Sequence, residues 1–97
     1  MANRYDIAIK VISQKGTCVA HHKVSDEWLL ESEQTPSGIS ENTPKGICIY
    51  AFHAMHPFAQ VLMFGGAFPW ESNPEIARVA CPDVDNPVTF ELRRLRK

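Results

Sequence analysis

The sequence predicts a small α+β domain: a mostly antiparallel sheet in the order ββαββ, with scope to curl toward a barrel, packed on one central helix kinked at proline. Three patterns carry this prediction. "YDIAIKVI" at 5 to 12 and "PVTFELRRL" at 87 to 95 alternate apolar and polar residues, as half-buried strands do. Between them, "CIYAFHAMHPFAQVLMF" at 48 to 64 repeats apolar residues at three- and four-residue steps, the period of one helix face.

In the first run Ile7, Ile9 and Val11 fall on one face, with Ala8 and Ile12 on the other. "SQKGT" turns the chain. "HKVSDEWLLE" then supplies Val24, the polar pair Ser25-Asp26, and Trp28, Leu29 and Leu30, a second strand entered through a turn. Residues 31 to 47 are polar and punctuated by Pro and Gly. They hold the near-duplicates "TPSGIS" and "TPKGIC", which are too short for a repeat architecture and read as successive turns. The second turn opens the helix, with Thr43 as N-cap and Pro44 at the first helical position. Ile49, Phe52, Met55 or His56, Ala59 and Met63 form its apolar face. Pro57 has no N–H for the carbonyl of His53, so it kinks this helix or splits it in two. Gly65-Gly66 ends it. "AFPWESNPE" is a loop anchored by Phe68 and Trp70, "IARVACP" (76 to 82) a third strand, and "DVDN" a turn. The final strand directs Val88, Phe90 and Leu92 inward.

The chain has 97 residues, 44% hydrophobic and 22% charged, which suits one domain over 1–97 with a single core. A formal net charge of -1 gives no electrostatic reason to expect nucleic acid or an anionic membrane as partner. The basic end "RRLRK" reads as a solvated strand terminus. No apolar run approaches the ~18 residues of a membrane span, and "MANRYDIAIK" lacks the order of a signal peptide. The expected location is the cytoplasm, where three cysteines are reduced thiols or ligands rather than a disulfide framework.

Several groups have the chemistry of a site. Zinc or iron in a soft site takes about four thiolate and imidazole ligands, and Cys18, His22, Cys48 and Cys81 are the candidates. Cys-x3-His across a turn can place both side chains on one ion. Cys48 falls at the expected helix start, where free N–H groups favour a thiolate, and Cys81 ends a strand. Against this stands the reading of three small core residues, since free cysteine is among the most buried residue types and no Cys-x2-Cys pair is present. Thiol redox chemistry at Cys48, with His53 or His22 beside it, is a further alternative, without a Cys-x-x-Cys to resolve it. His53 and His56 stand three apart on the helix and read as surface and helix-break residues. "FGGAFPW" lacks the frame of a phosphate loop and reads as a chain reversal followed by two aromatic anchors. The carboxylates of Asp83 and Asp85 suit turns.

Four segments, "CVAHHKVSDEW", "TPKGICIYAFHAMHPF", "FGGAFPWESNPE" and "VACPDVDNPVTFELRR", resemble in order and spacing a family of short prokaryotic proteins of unknown function. The resemblance runs from about residue 5 to residue 95. The family's first motif, Cys, three residues, His, Lys, Val, Gly, Asp, maps onto Cys18, His22, Lys23, Val24 and Asp26. Ser25 and His21 stand where glycine is usual. The resemblance implies positions of interest and no activity.

The expected function is a small cytoplasmic domain binding a metal ion or small ligand through its Cys and His residues, rather than an enzyme on its own. The alternative is a structural module that self-associates as a homodimer through a sheet edge and the Phe68/Trp70 loop, with the final strand as the pairing edge.

Overall fold

A computed structural model describes residues 5–16, 22–30 and 46–95. Its elements are β1 (Asp6–Gln14), β2 (Glu27–Leu30), α1 (Ile49–Met63), β3 (Ile76–Ala80) and β4 (Val88–Leu95). The strands form one antiparallel sheet in the spatial order β2-β1-β4-β3. The sheet is open, with β2 and β3 at its edges, and does not curl into a barrel. β4, expected as a free pairing edge, is interior and bonded on both sides, so it offers no edge to a second chain.

The period-2 pattern works as anticipated. Ile7, Ile9, Val11, Val88, Phe90 and Leu92 are buried on one face, and α1 covers that face. β1 runs two residues past its expected end because Ile12 forms a bulge, opposite the step from Phe90 to Thr89. β2 is entered through a turn in which Ser25 takes φ 82 and its N–H donates to Val11 O at 2.9 Å.

The helix lies within one residue of the expected 48 to 64 at each end, and differs in its cap, its buried face and its continuity. It starts at Ile49 with Cys48 as N-cap; Thr43 and Pro44 lie outside the described residues. Its buried stripe is Ala51, Met55, Ala59, Leu62 and Met63, rotated from the predicted face, and Ile49 is 74% exposed. The small Ala51 and Ala59 let the helix lie close against the sheet. Finally, α1 runs through Pro57 without splitting. Pro57 and His53 are both exposed, so the carbonyl that Pro57 leaves without an N–H can be taken up by water.

The helix end is a Schellman motif. Gly65 adopts φ 92, its N–H donates to Leu62 O, and the Gly66 N–H reaches back to Val61 O at 2.8 Å. The loop that follows folds along the outer edge of β3. There the Glu71 carboxylate accepts the Arg78 N–H at 3.0 Å and Asn73 O accepts the Ile76 N–H, which blunts that edge. Asp83 Oδ1 accepts the N–H groups of Asp85 and Asn86, closing the β3–β4 turn as the sequence suggested. Among the described residues, no helix is long and apolar enough to cross a membrane.

Candidate functional site

Among the described residues, the two buried polar residues, His22 and Arg94, stand at the two ends of α1; the Glu71 side chain, also buried, pairs with Arg78 at the edge of β3. A helix leaves its first N–H groups and last C=O groups without internal partners. Here each end is met by a side chain from another element.

At the N-terminus the partner is His22, 4% exposed, in the turn that leads to β2. Its Nε2 accepts the Cys48 backbone N–H at 2.9 Å, and no side-chain cap comes from within the helix itself. The ring stands edge-on to Trp28 at 4.8 Å and to Phe90 at 6.2 Å, wedged between β2, β4 and the helix start. Accepting through Nε2 fixes the neutral tautomer with its proton on Nδ1. Burial holds the His22 pKa below 6.5, and the charge of Asp26 opposes that only in part. Asp26 itself clamps the turn, its carboxylate accepting the Lys23 N–H at 2.9 Å.

At the C-terminus the partner is Arg94 on β4, whose side chain is 3% exposed. Nη1 donates to Leu62 O at 3.0 Å and to Gly66 O at 2.8 Å. Nη2 donates to Pro74 O at 2.9 Å, and Nε donates to the Glu75 carboxylate at 2.6 Å. The Tyr5 ring lies 5.5 Å from the guanidinium carbon, within cation–π range. A single planar group therefore ties together the helix end, the Gly65-Gly66 turn, the loop before β3 and the sheet. The sequence reading missed Arg94 by treating "RRLRK" as solvated. The signal was present: residues 88, 90, 92 and 94 share one parity, and the first three were already assigned inward.

Of the predicted ligands, the structure brings His22 and Cys48 together through the Cys48 N–H. Cys18 lies outside the described residues. Cys48 is half-buried against the core at the start of α1. Cys81, also half-buried, sits where β3 ends; its Sγ accepts the Val88 N–H at 3.2 Å while its own N–H donates to Val88 O. Among the described residues, no group of three or more His, Cys, Asp or Glu side chains is placed to hold a metal ion. His53 is exposed, and the His56 ring packs on Phe52 at 5.3 Å.

A third feature is an aromatic ladder. Phe58 of α1 contacts Phe68 at 5.4 Å, and Phe68 contacts Trp70 at 4.9 Å, leaving Trp70 62% exposed at the outer end.

No family model, curated protein or solved structure matches this chain.

Proposed function

We propose that this domain is a non-catalytic structural module that works by self-association, as a homodimer. One-sided coverage carries this reading. α1 packs on one face of the sheet, and the opposite face is exposed, with Leu29 and Leu95 standing among charged residues. A face that mixes the two kinds of side chain stays soluble alone and loses exposed apolar area when paired. Sedimentation equilibrium over a concentration series tests it. A mass rising toward twice 10.9 kDa is expected. A mass that stays at 10.9 kDa up to about 100 μM rejects it.

A second reading assigns Cys18, His22, Cys48 and Cys81 to a zinc or iron ion. The contact that sets His22 against Cys48 favours it, with Cys18 four positions ahead of His22 in the chain. Thiolate and imidazole donors suit those metals. In the described arrangement His22 Nε2 is engaged, so a metal takes Nδ1 or displaces the Cys48 N–H. Elemental analysis of untagged protein decides: stoichiometric metal supports the site, and metal-free protein with an unchanged circular dichroism spectrum rejects it.

Membership in the short prokaryotic family belongs to the same proposal. Ser25 supports it, since this residue adopts positive φ where the family carries glycine. The order ββαββ for the whole chain and a bend of α1 at Pro57 are proposed with it, supported by the order of the described elements and the missing Pro57 N–H.

A further inference from the structure

The strand register lines up one row of outward side chains across the whole sheet. Glu27 of β2 stands opposite Lys10 of β1, Lys10 opposite Glu91 of β4, and Glu91 opposite Arg78 of β3. All four are on the face away from α1. Their signs run minus, plus, minus, plus. Taken from the other end the row runs plus, minus, plus, minus, so it is complementary to its own reverse.

That property has a geometric consequence. A half-turn about an axis parallel to the strands, midway between β1 and β4, sets a second copy face to face with its row reversed. Glu27 then meets the second copy's Arg78, and Lys10 meets its Glu91. Each opposition occurs twice by symmetry. In the neighbouring row, Leu29, Ala8, Arg93 and Ile76 are in register, so the same operation sets Leu29 against Ile76. The strands of the two copies stay aligned, the usual arrangement of stacked sheets. A half-turn about an axis along the row instead sets every residue against its own copy, with like charges opposed at all four positions. The charge pattern therefore selects one face-to-face arrangement over the other.

Half of the row is already oriented. Arg78 is held by Glu71 and Glu91 by Arg93, both at 3.1 Å, whereas Lys10 and Glu27 form no ion pair among the described residues. Each held charge thus faces, across the axis, one without an ion pair among the described residues. Four strands about 4.8 Å apart, with β4 about 27 Å long, give roughly 400 Å² of flat footprint per copy, about 800 Å² in total, which is the size of a weak, reversible dimer contact and below that of a permanent one.

We propose that the outer sheet face is a homodimer interface whose orientation is set by Glu27–Arg78 and Lys10–Glu91 pairing between copies. The proposal rests on the self-association inferred above and names its surface. Sedimentation equilibrium on wild type, Lys10→Glu and the exchange Lys10→Glu/Glu91→Lys tests it, with thermal melting to verify that each variant folds. Lys10→Glu opposes carboxylates twice in the dimer and is expected to weaken association at least about 100-fold. The exchange restores opposite charges between copies, although it leaves like charges adjacent within each sheet. It is expected to recover wild-type association to within about tenfold. If Lys10→Glu does not fold, Glu27→Lys at the sheet edge replaces it; it opposes the second copy's Arg78 and is expected to weaken the dimer likewise. A wild type that stays monomeric overturns self-association itself. A Lys10→Glu protein that dimerises as tightly as wild type overturns this face alone, and a folded exchange variant that remains monomeric overturns the pairing.

Discussion

Replacing Arg94 by methionine, which keeps much of the aliphatic stem and removes the guanidinium, isolates the tie at the C-terminal end of α1. Four hydrogen bonds disappear, to Leu62 O, Gly66 O, Pro74 O and the Glu75 carboxylate. A hydrogen bond involving a charged group is worth about 1.5–3 kcal/mol net, but bonds to one group do not add. The Glu75 side chain is 27% exposed and can recover water, so its share is discounted. The Gly66 carbonyl is the main loss, because Leu62 O still accepts the Gly65 N–H when its buried donor on Arg94 is removed. Together these place the cost at about 3–4 kcal/mol, in line with breaking a buried pair. Total stability for a domain of this length is of order 5–15 kcal/mol, so the variant is expected to be folded but marginal. Urea unfolding followed by tryptophan fluorescence should show the midpoint falling by about 2 M or more. Arg94→Lys keeps the charge but not the planar fork, and an intermediate loss of about 1–2 kcal/mol is expected. A loss under about 1 kcal/mol for Arg94→Met would refute the reasoning.

Ser25→Gly relieves a left-handed backbone at φ 82 that costs an L-residue about 1–2 kcal/mol, offset in part by the entropy of glycine in the unfolded chain. A gain of about 0.5–1 kcal/mol is expected, read as a melting point a few degrees higher; an unchanged or lower value contradicts the strain. His22 is neutral in the fold with its pKa below 6.5, so the unfolded chain binds the extra proton first and stability falls as pH drops below about 6.5. Urea midpoints from pH 8 to 5 should show this decline in wild type and a shallower one in His22→Gln; parallel profiles would remove His22 as its source. Pro57→Ala restores an N–H for the His53 carbonyl at an exposed position and should stabilise by about 1–2 kcal/mol after the loss of proline's stiffness in the unfolded chain. Destabilisation would mean that the ring packs in a way its exposure conceals.

The strands were legible because a sheet covered on one face imposes strict alternation, and Ile7-Ile9-Val11 and Val88-Phe90-Leu92 display it without interruption. Their spatial order was not. β4 inserts between β1 and β3, and nothing local to residues 88–95 records that both of its edges are filled. The helix span was legible, 48 to 64 against Ile49–Met63, but its cap was not, for a related reason. Thr43-Pro44 has the composition of a local cap, whereas the acceptor the helix uses is His22, 26 residues away in sequence. A long-range cap leaves no short-range signature. His22 was singled out as a candidate metal ligand, and the structure shows its lone pair on a backbone N–H; the two uses of that lone pair look the same in sequence. Arg94 shows the converse case, in which composition hid what alternation disclosed.

The two helix-end contacts differ in sign, and this difference gives α1 a direction. The apolar stripe of Ala51, Met55, Ala59 and Leu62 is nearly featureless, so dispersion and burial alone discriminate weakly between the helix and its reverse lying on the same sheet. The polar ends discriminate strongly. In the observed direction a neutral imidazole nitrogen, an acceptor, meets the positive end of the helix dipole, and a guanidinium meets the negative end. Reversal would press the His22 lone pair against helix carbonyls and the buried Arg94 charge against free N–H groups, with neither satisfied. Each such mismatch costs more than the net value of the bond it replaces, since a buried polar group without a partner forfeits its full hydration. His22 and Arg94 therefore specify which way the helix runs, while the alternation of the strands specifies which side of the sheet is filled. The face left uncovered is the one that carries the self-complementary row of charge.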